Sequence, residues 1–272
     1  MKKIVDIDKL FEKFFRSRLL AEKGKYSEEE WLEKLPKLYS EFETTPLKEL
    51  DGIAPLNYYD DEDDLIGAWL SYVESGVPLN DYLLDAVVNR VDEKEIALLF
   101  TEDAKEDVLL SAIEVMRRKN SKSAFNRYID LLFSKKVCHH VKDEMVEDLS
   151  DYADEVAPAI LEKLSGKEAS SMFAEILSHT TKKDERVKRI LLDGLKKGNK
   201  VPEYAAYLVN YDDESCLFEM TEYLSRVDDY VSYKELKLAV EALGGNVTDE
   251  RDFSDDKNYI RIKSAENDSD KK

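Results

Sequence analysis

Proline and glycine are scarce, with 6 and 9 in 272 residues, about half the usual share. So few turn formers exclude a turn-rich all-β sandwich or barrel. The 2 cysteines, Cys138 and Cys216, lie far apart and form no CxxC. One disulfide is conceivable, but a disulfide framework or zinc ribbon is excluded. No apolar run approaches the roughly 18 residues needed to span a membrane. The N-terminal stretch MKKIVDIDKLFEKFFRSRLL has lysines, but neither an uninterrupted apolar core nor a small-residue cleavage site, so it does not read as a signal peptide. A reduced, soluble, cytoplasmic protein is the expectation.

Positive charge is also in deficit. Lys and Arg total 41 against 60 Asp and Glu, a formal net charge of −19. Such a chain repels phosphate backbones, whose binding depends on cations that displace counterions, so nucleic acid is not expected as a partner. Hydrophobic residues make up 43%, enough for a packed core.

What is present is helical periodicity. Ile7, Leu10, Phe11, Phe14 and Phe15 recur at steps of three and four. Ser27 followed by Glu28, Glu29 and Glu30 reads as a capping box. Trp31, Leu35, Leu38, Tyr39 and Phe42 continue one face, with Pro36 expected to kink or interrupt it. The stretch 44–60, with two prolines and a glycine, reads as a loop. Twelve short helices follow, near 62–75, 79–91, 93–100, 104–119, 122–134, 138–152, 154–165, 168–179, 184–197, 202–210, 213–226 and 232–243. Their separators are as short as Gly76-Val77-Pro78 and Lys197-Gly198-Asn199. Segments starting near Leu79, Ala104, Cys138, Glu168 and Pro202 each hold two helices, a spacing of about 25–35 residues. A hairpin that small buries its apolar face only by stacking on a neighbour.

Three stretches carry a resemblance. Asp184-Glu185-Arg186-Val187-Lys188-Arg189-Ile190-Leu191-Leu192-Asp193-Gly194-Leu195 looks like the second helix of a HEAT-like repeat: an Asp cap, aliphatics, and a small residue before a Leu. Leu238-Ala239-Val240-Glu241-Ala242-Leu243-Gly244 is similar to the Ala-Leu-Gly ending of that helix, and Glu106-Asp107-Val108-Leu109-Leu110-Ser111-Ala112-Ile113 matches it more loosely. Most repeats lack the regular Asp-Arg pair. The resemblance implies an all-α solenoid of HEAT-like helix hairpins over 77–245, capped by a helical segment over 1–76. Residues 246–272 read as a polar, disordered tail, with Tyr259-Ile260-Arg261-Ile262-Lys263 alternating like a short strand as the alternative.

Candidate chemistry is sparse. Cys138-His139-His140 is the one cluster of soft ligands, but consecutive helical residues point about 100° apart and do not converge on a metal. Neither metal nor cofactor is expected. There is no GxSxG, Walker A, GxGxxG, HExxH or His-Glu dipeptide. The run Asp60-Asp61-Glu62-Asp63-Asp64 has Leu65 and Ser71 where a calcium loop needs Gly and Glu, so it reads as an acidic helix start. Residues 1–26 carry 8 basic and 4 acidic side chains, and 27–76 carry 14 acidic and 3 basic. The basic first helix is therefore expected to cover the end of the solenoid, with contact to an anionic membrane as the alternative.

Tyrosine stands out, with 15 copies. Tyr204, Tyr207 and Tyr211 fall at i, i+3 and i+7 on one helix face, with Tyr223 close behind. Tyrosine offers a large contact area with a polar tip and is enriched at interfaces. The same spacing also suits rings packed between helices. The expectation is a non-enzymatic scaffold or adaptor that docks another protein or peptide, basic in character, on an acidic, tyrosine-containing concave face. The alternatives are an enzyme with a scattered carboxylate or histidine site and a self-associating structural protein.

Overall fold

Asp, Asn and Ser residues punctuate the chain at the places where helices begin, because their side chains satisfy backbone N–H groups that have no partner within the helix. A computed structural model of the chain describes residues 2–248 and 251–269. Asp6 opens α1 (Ile7–Ala21), and Ser27 with Glu30 forms the expected capping box of α2 (Glu28–Thr44). Asp64 opens α3 (Leu65–Ser75), Asn80 opens α4 (Asp81–Arg90) and Asp92 opens α5 (Glu93–Ala97). There follow α6 (Glu106–Arg118), α7 (Phe125–Phe133), α8 (His139–Ser150), α9 (Ala153–Lys163) and α10 (Ser171–Ser178). Asp184 caps α11 (Glu185–Lys196), which leads to α12 (Val201–Tyr211) and α13 (Leu217–Leu224). Asp229 caps α14 (Tyr230–Ala242), and α15 (Lys257–Ser269) is last. Among the described residues there is no strand, only one isolated antiparallel bridge between Leu47 and Ile53. The protein is all-α, and each of the twelve helices expected between 62 and 243 has its counterpart in α3 to α14.

Two expectations need correction. Pro36 neither ends nor splits α2, which runs through it. Leu32, whose carbonyl loses its helical partner there, is exposed, so water can take that bond. The tail is neither disordered nor a strand over 257–269. The Asp256 carboxylate accepts from the backbone N–H of Asn258 at 2.8 Å and of Tyr259 at 3.0 Å, and so starts α15. The ring of Tyr259 then stacks edge-on against Tyr230, with centroids 4.9 Å apart. Residues 246–248 and 251–256 form neither helix nor strand, and 249–250 and 270–272 lie outside the described residues.

The chain divides into two compact units, Met1–Val141 and Lys142–Lys272; the borders expected at 76 and 245 fall inside them. In the first unit α3 packs on α4 and α6, and α4 also packs on α6. In the second, α10 packs on α9, α11 and α12, and α12 packs on α11 and α14. Next-but-one neighbours meet in α4 with α6, α10 with α12, α11 with α13 and α12 with α14. Side chains repeat the same step. Thr181 bonds Asp154, 27 residues back, and the Lys188 ammonium bonds Ser215, 27 ahead. Lys200 reaches Ser171, 29 residues back, and Lys197 pairs with Glu168, also 29 back. In the first unit Lys105 reaches Glu74 across 31 residues and Lys119 donates to the Val91 carbonyl across 28. Bonds at separations of 27 to 31 residues thus recur along both units as a ladder.

Candidate functional site

The four tyrosines singled out by spacing divide by burial. Tyr204 is 5% exposed and Tyr211 is fully buried. The Tyr204 ring lies over Gly194 of α11, so close that a Cβ there would fall 1.9 Å from Cε1. The Tyr211 hydroxyl accepts from the Asp184 backbone N–H at 2.7 Å and donates to the Asp184 carbonyl at 3.2 Å. Lys183 sits 4.5 Å from the centre of the same ring and donates to the Tyr211 carbonyl. Both rings join α12 to α11 and offer no face to a partner, which removes Tyr204 and Tyr211 from the expected contact surface. Tyr207 and Tyr223 are half-buried. The Tyr207 hydroxyl donates to Glu175 at 3.1 Å, and burial with this carboxylate nearby pushes its pKa up. Spacing alone does not separate these roles, because a seven-residue stripe looks the same on a covered face and an open one.

Acidic side chains and tyrosines meet elsewhere, in the first unit. Tyr58, Tyr59 and Tyr72 are buried around the loop before α3. An extended basic arm, residues 2–5, lies against them. The Lys2 backbone N–H donates to Glu62 at 2.5 Å, that of Lys3 to the Tyr58 hydroxyl at 3.2 Å, and that of Val5 to the Tyr72 hydroxyl at 2.8 Å. Tyr72 returns a bond to the Val5 carbonyl at 3.1 Å and accepts from the Tyr59 hydroxyl at 2.8 Å. The two lysine heads meet carboxylates, Lys2 with Asp61 and Lys3 with Asp51, each at 2.6 Å. The hydrogen bond between Lys2 and Asp61 raises the ammonium pKa and lowers the carboxylate's. Burial pushes the Tyr59 hydroxyl up strongly, so it stays protonated and donates. Backbone and side chains of a basic segment are thus both read here.

No family model, curated protein or solved structure matches the chain. Its chemistry must therefore be argued from these contacts.

Beside the arm the same chemistry opens to solvent. A cavity of about 280 Å³ is lined by the exposed carboxylates of Asp63, Asp64, Asp92 and Glu95. Its one cation, Arg90, is turned inward, donating to the carbonyls of Tyr59 at 2.7 Å and Glu62 at 2.8 Å. Arg90 fastens the loop, and four carboxylates against this single cation leave the cavity net anionic. Among the described residues no three His, Cys, Asp or Glu side chains converge as a metal site. His139 and His140 are exposed, with His140 Nδ1 3.3 Å from Glu106. Cys216 is fully buried, and its thiol is pushed up to about 11, which keeps it an unreactive thiol. No described helix is long and apolar enough to cross a membrane.

In the sequence Asp61 and Glu62 read only as part of an acidic helix start, and Tyr58, Tyr72 and Asp51 carry no signal of their own. The available signal was a Tyr-Tyr pair beside the acidic run and a Lys-Lys pair about sixty residues earlier, two features that only the fold brings together. Tyr72→Phe tests the arrangement. Removing the hydroxyl leaves the Tyr59 O–H and the Val5 N–H without their acceptor, a loss of about 1–3 kcal/mol. Urea titration should register it, and amide exchange at Lys3 and Val5 should accelerate. Unchanged exchange there would mean that the hydroxyl does not hold the arm.

Proposed function

We propose that the protein is a non-enzymatic, HEAT-like helical-repeat adaptor that docks a basic, extended segment of a partner protein on the acidic surface of its first unit. The carrying observation is the arm itself: Glu62, Tyr58, Tyr72, Asp61 and Asp51 grip an extended basic segment through backbone and side chains. The adjoining carboxylates of Asp63, Asp64, Asp92 and Glu95 offer the same chemistry to a second chain. The ladder of bonds supports the solenoid reading, since stacked hairpins present extended surfaces suited to a partner segment. A net charge of −19 steers basic partners toward the chain.

The test is affinity capture of the tagged full-length chain from its source cells at low and high salt. A stoichiometric partner held at low salt and released at high salt is expected. Charge reversal of the cavity, by Asp63→Lys with Asp92→Lys, should weaken that partner by roughly tenfold or more. A partner bound equally well by the reversed variant, or none at either salt, overturns the proposal.

A further inference from the structure

The α1–α2 hairpin is unlike the rest of the molecule in burial. Of the 15 residues of α1 only Ile7 and Leu10 are buried, and of the 17 of α2 only Phe42. All three sit at the base, where Tyr82 of α4 also donates to Tyr39 at 3.2 Å. Farther out, the two helices share a seam of half-buried rings. Phe11 meets Tyr39 edge-on at 5.0 Å, and Phe15 and Tyr26 both meet Trp31, at 5.8 and 5.3 Å. Two helices bury one seam between them and leave their other apolar positions to solvent. Leu20 is 75% exposed and Leu32 is 65% exposed.

Charge sets the hairpin apart as well. Residues 1–44 hold ten basic and ten acidic side chains, so the whole net charge of −19 lies beyond them. Two copies of the chain repel each other over most of their surface but not here. Within the hairpin the charge is segregated. Outside the arm, whose lysines are already paired, residues 6–26 carry six basic and four acidic side chains, a net +2, and 27–44 carry six acidic and two basic side chains, a net −4. Among the described residues one ion pair joins the two helices, Arg18 with Glu41. Lys13, Arg16 and Leu20 share a helix face at i, i+3 and i+7, and Glu29, Leu32 and Glu33 share one at i, i+3 and i+4. Each helix therefore shows an exposed leucine beside charges of one sign.

We infer that the hairpin is a self-association surface, and that its occupant is the same hairpin of a second copy, with α1 of each chain against α2 of the other. A two-fold interface needs a patch that complements itself. Here +2 meets −4 twice, and the exposed leucines close into a four-helix bundle. The base keeps each hairpin anchored to its own chain, so pairing requires no refolding. This inference is independent of basic-segment docking, which uses other residues.

The test is sedimentation equilibrium of the full-length chain from about 1 to 100 μM, a range that brackets micromolar association. Mass rising to that of two chains is expected; a monomer throughout overturns the inference. Leu20→Glu with Leu32→Glu, both at exposed positions, should keep the helical circular dichroism signal and remain monomeric. A dimer undiminished by that pair also overturns it. Two charge-reversed chains test the pairing. One carries Lys13→Glu and Arg16→Glu, the other Glu29→Lys and Glu33→Lys. Each alone should be monomeric, because like charges then face each other, and mixing them should restore the dimer. If each self-associates as well as it cross-associates, the α1-to-α2 pairing is wrong.

Discussion

Replacing Gly194 by alanine is expected to lower the unfolding free energy by about 1–3 kcal/mol, the usual cost of overpacking a full core. The sign is what makes the experiment informative. Glycine-to-alanine inside a helix ordinarily stabilises by up to about 1 kcal/mol. Gly194 sits in the interior of α11, and an added methyl would lie 1.9 Å from Tyr204 Cε1 and 2.2 Å from Cζ. That ring is buried and stacked edge-on against Tyr207 at 5.5 Å, so it has no free direction in which to withdraw. A urea titration of Gly194→Ala beside Gly194→Ala/Tyr204→Leu measures the coupling. The flexible leucine should return part of the loss. A single variant as stable as the parent would show that the ring is not fixed over the glycine.

Trp69→Ala should be costlier still, at about 3–5 kcal/mol. Trp69 is fully buried, and its indole Nε1–H donates to Ser111 Oγ at 2.8 Å, which ties α3 to α6 across 42 residues. Truncation removes the apolar area, opens a cavity and strands the hydroxyl. Such a loss is a large fraction of the roughly 5–15 kcal/mol that holds a typical domain together. Thermal and urea unfolding should both shift sharply. Trp69→Phe, which keeps most of the volume and loses the bond, should fall between the two. A loss under about 1 kcal/mol would mean that the site collapses around the missing ring.

The helices were legible in the sequence because their signals are local. Ser27 with Glu30 is a three-residue motif, and Asp64, Asn80, Asp184 and Asp229 each precede a helix that the apolar period then continues. The small residue before Leu195 was also visible, and its use follows from the Tyr204 ring that lies over it. The candidate site was not legible, because its parts lie far apart in the chain. The lysines of the arm and the Asp61 and Glu62 that hold it are about sixty residues apart. The tyrosine stripe on α12 misled for a related reason: the 3.6-residue period marks which residues share a face, and what covers that face is decided by α11 and α14. The tail misled because Asp256 caps α15 while also bonding Tyr230, a contact 26 residues away.

The ladder of these bonds also bears on how the chain acquires its structure. Its rungs join residues 27 to 31 apart, a short loop to close in a chain of 272. Loop-closure entropy grows with the logarithm of length, so each rung costs little more than the one before. Low average contact separation goes with fast folding. On a ribosome that adds roughly 5–20 residues per second, the mate of any rung emerges within about 1–6 s. Each helix can meet such a mate while later ones are still being synthesised, and among the described residues no strand edge waits for a distant partner.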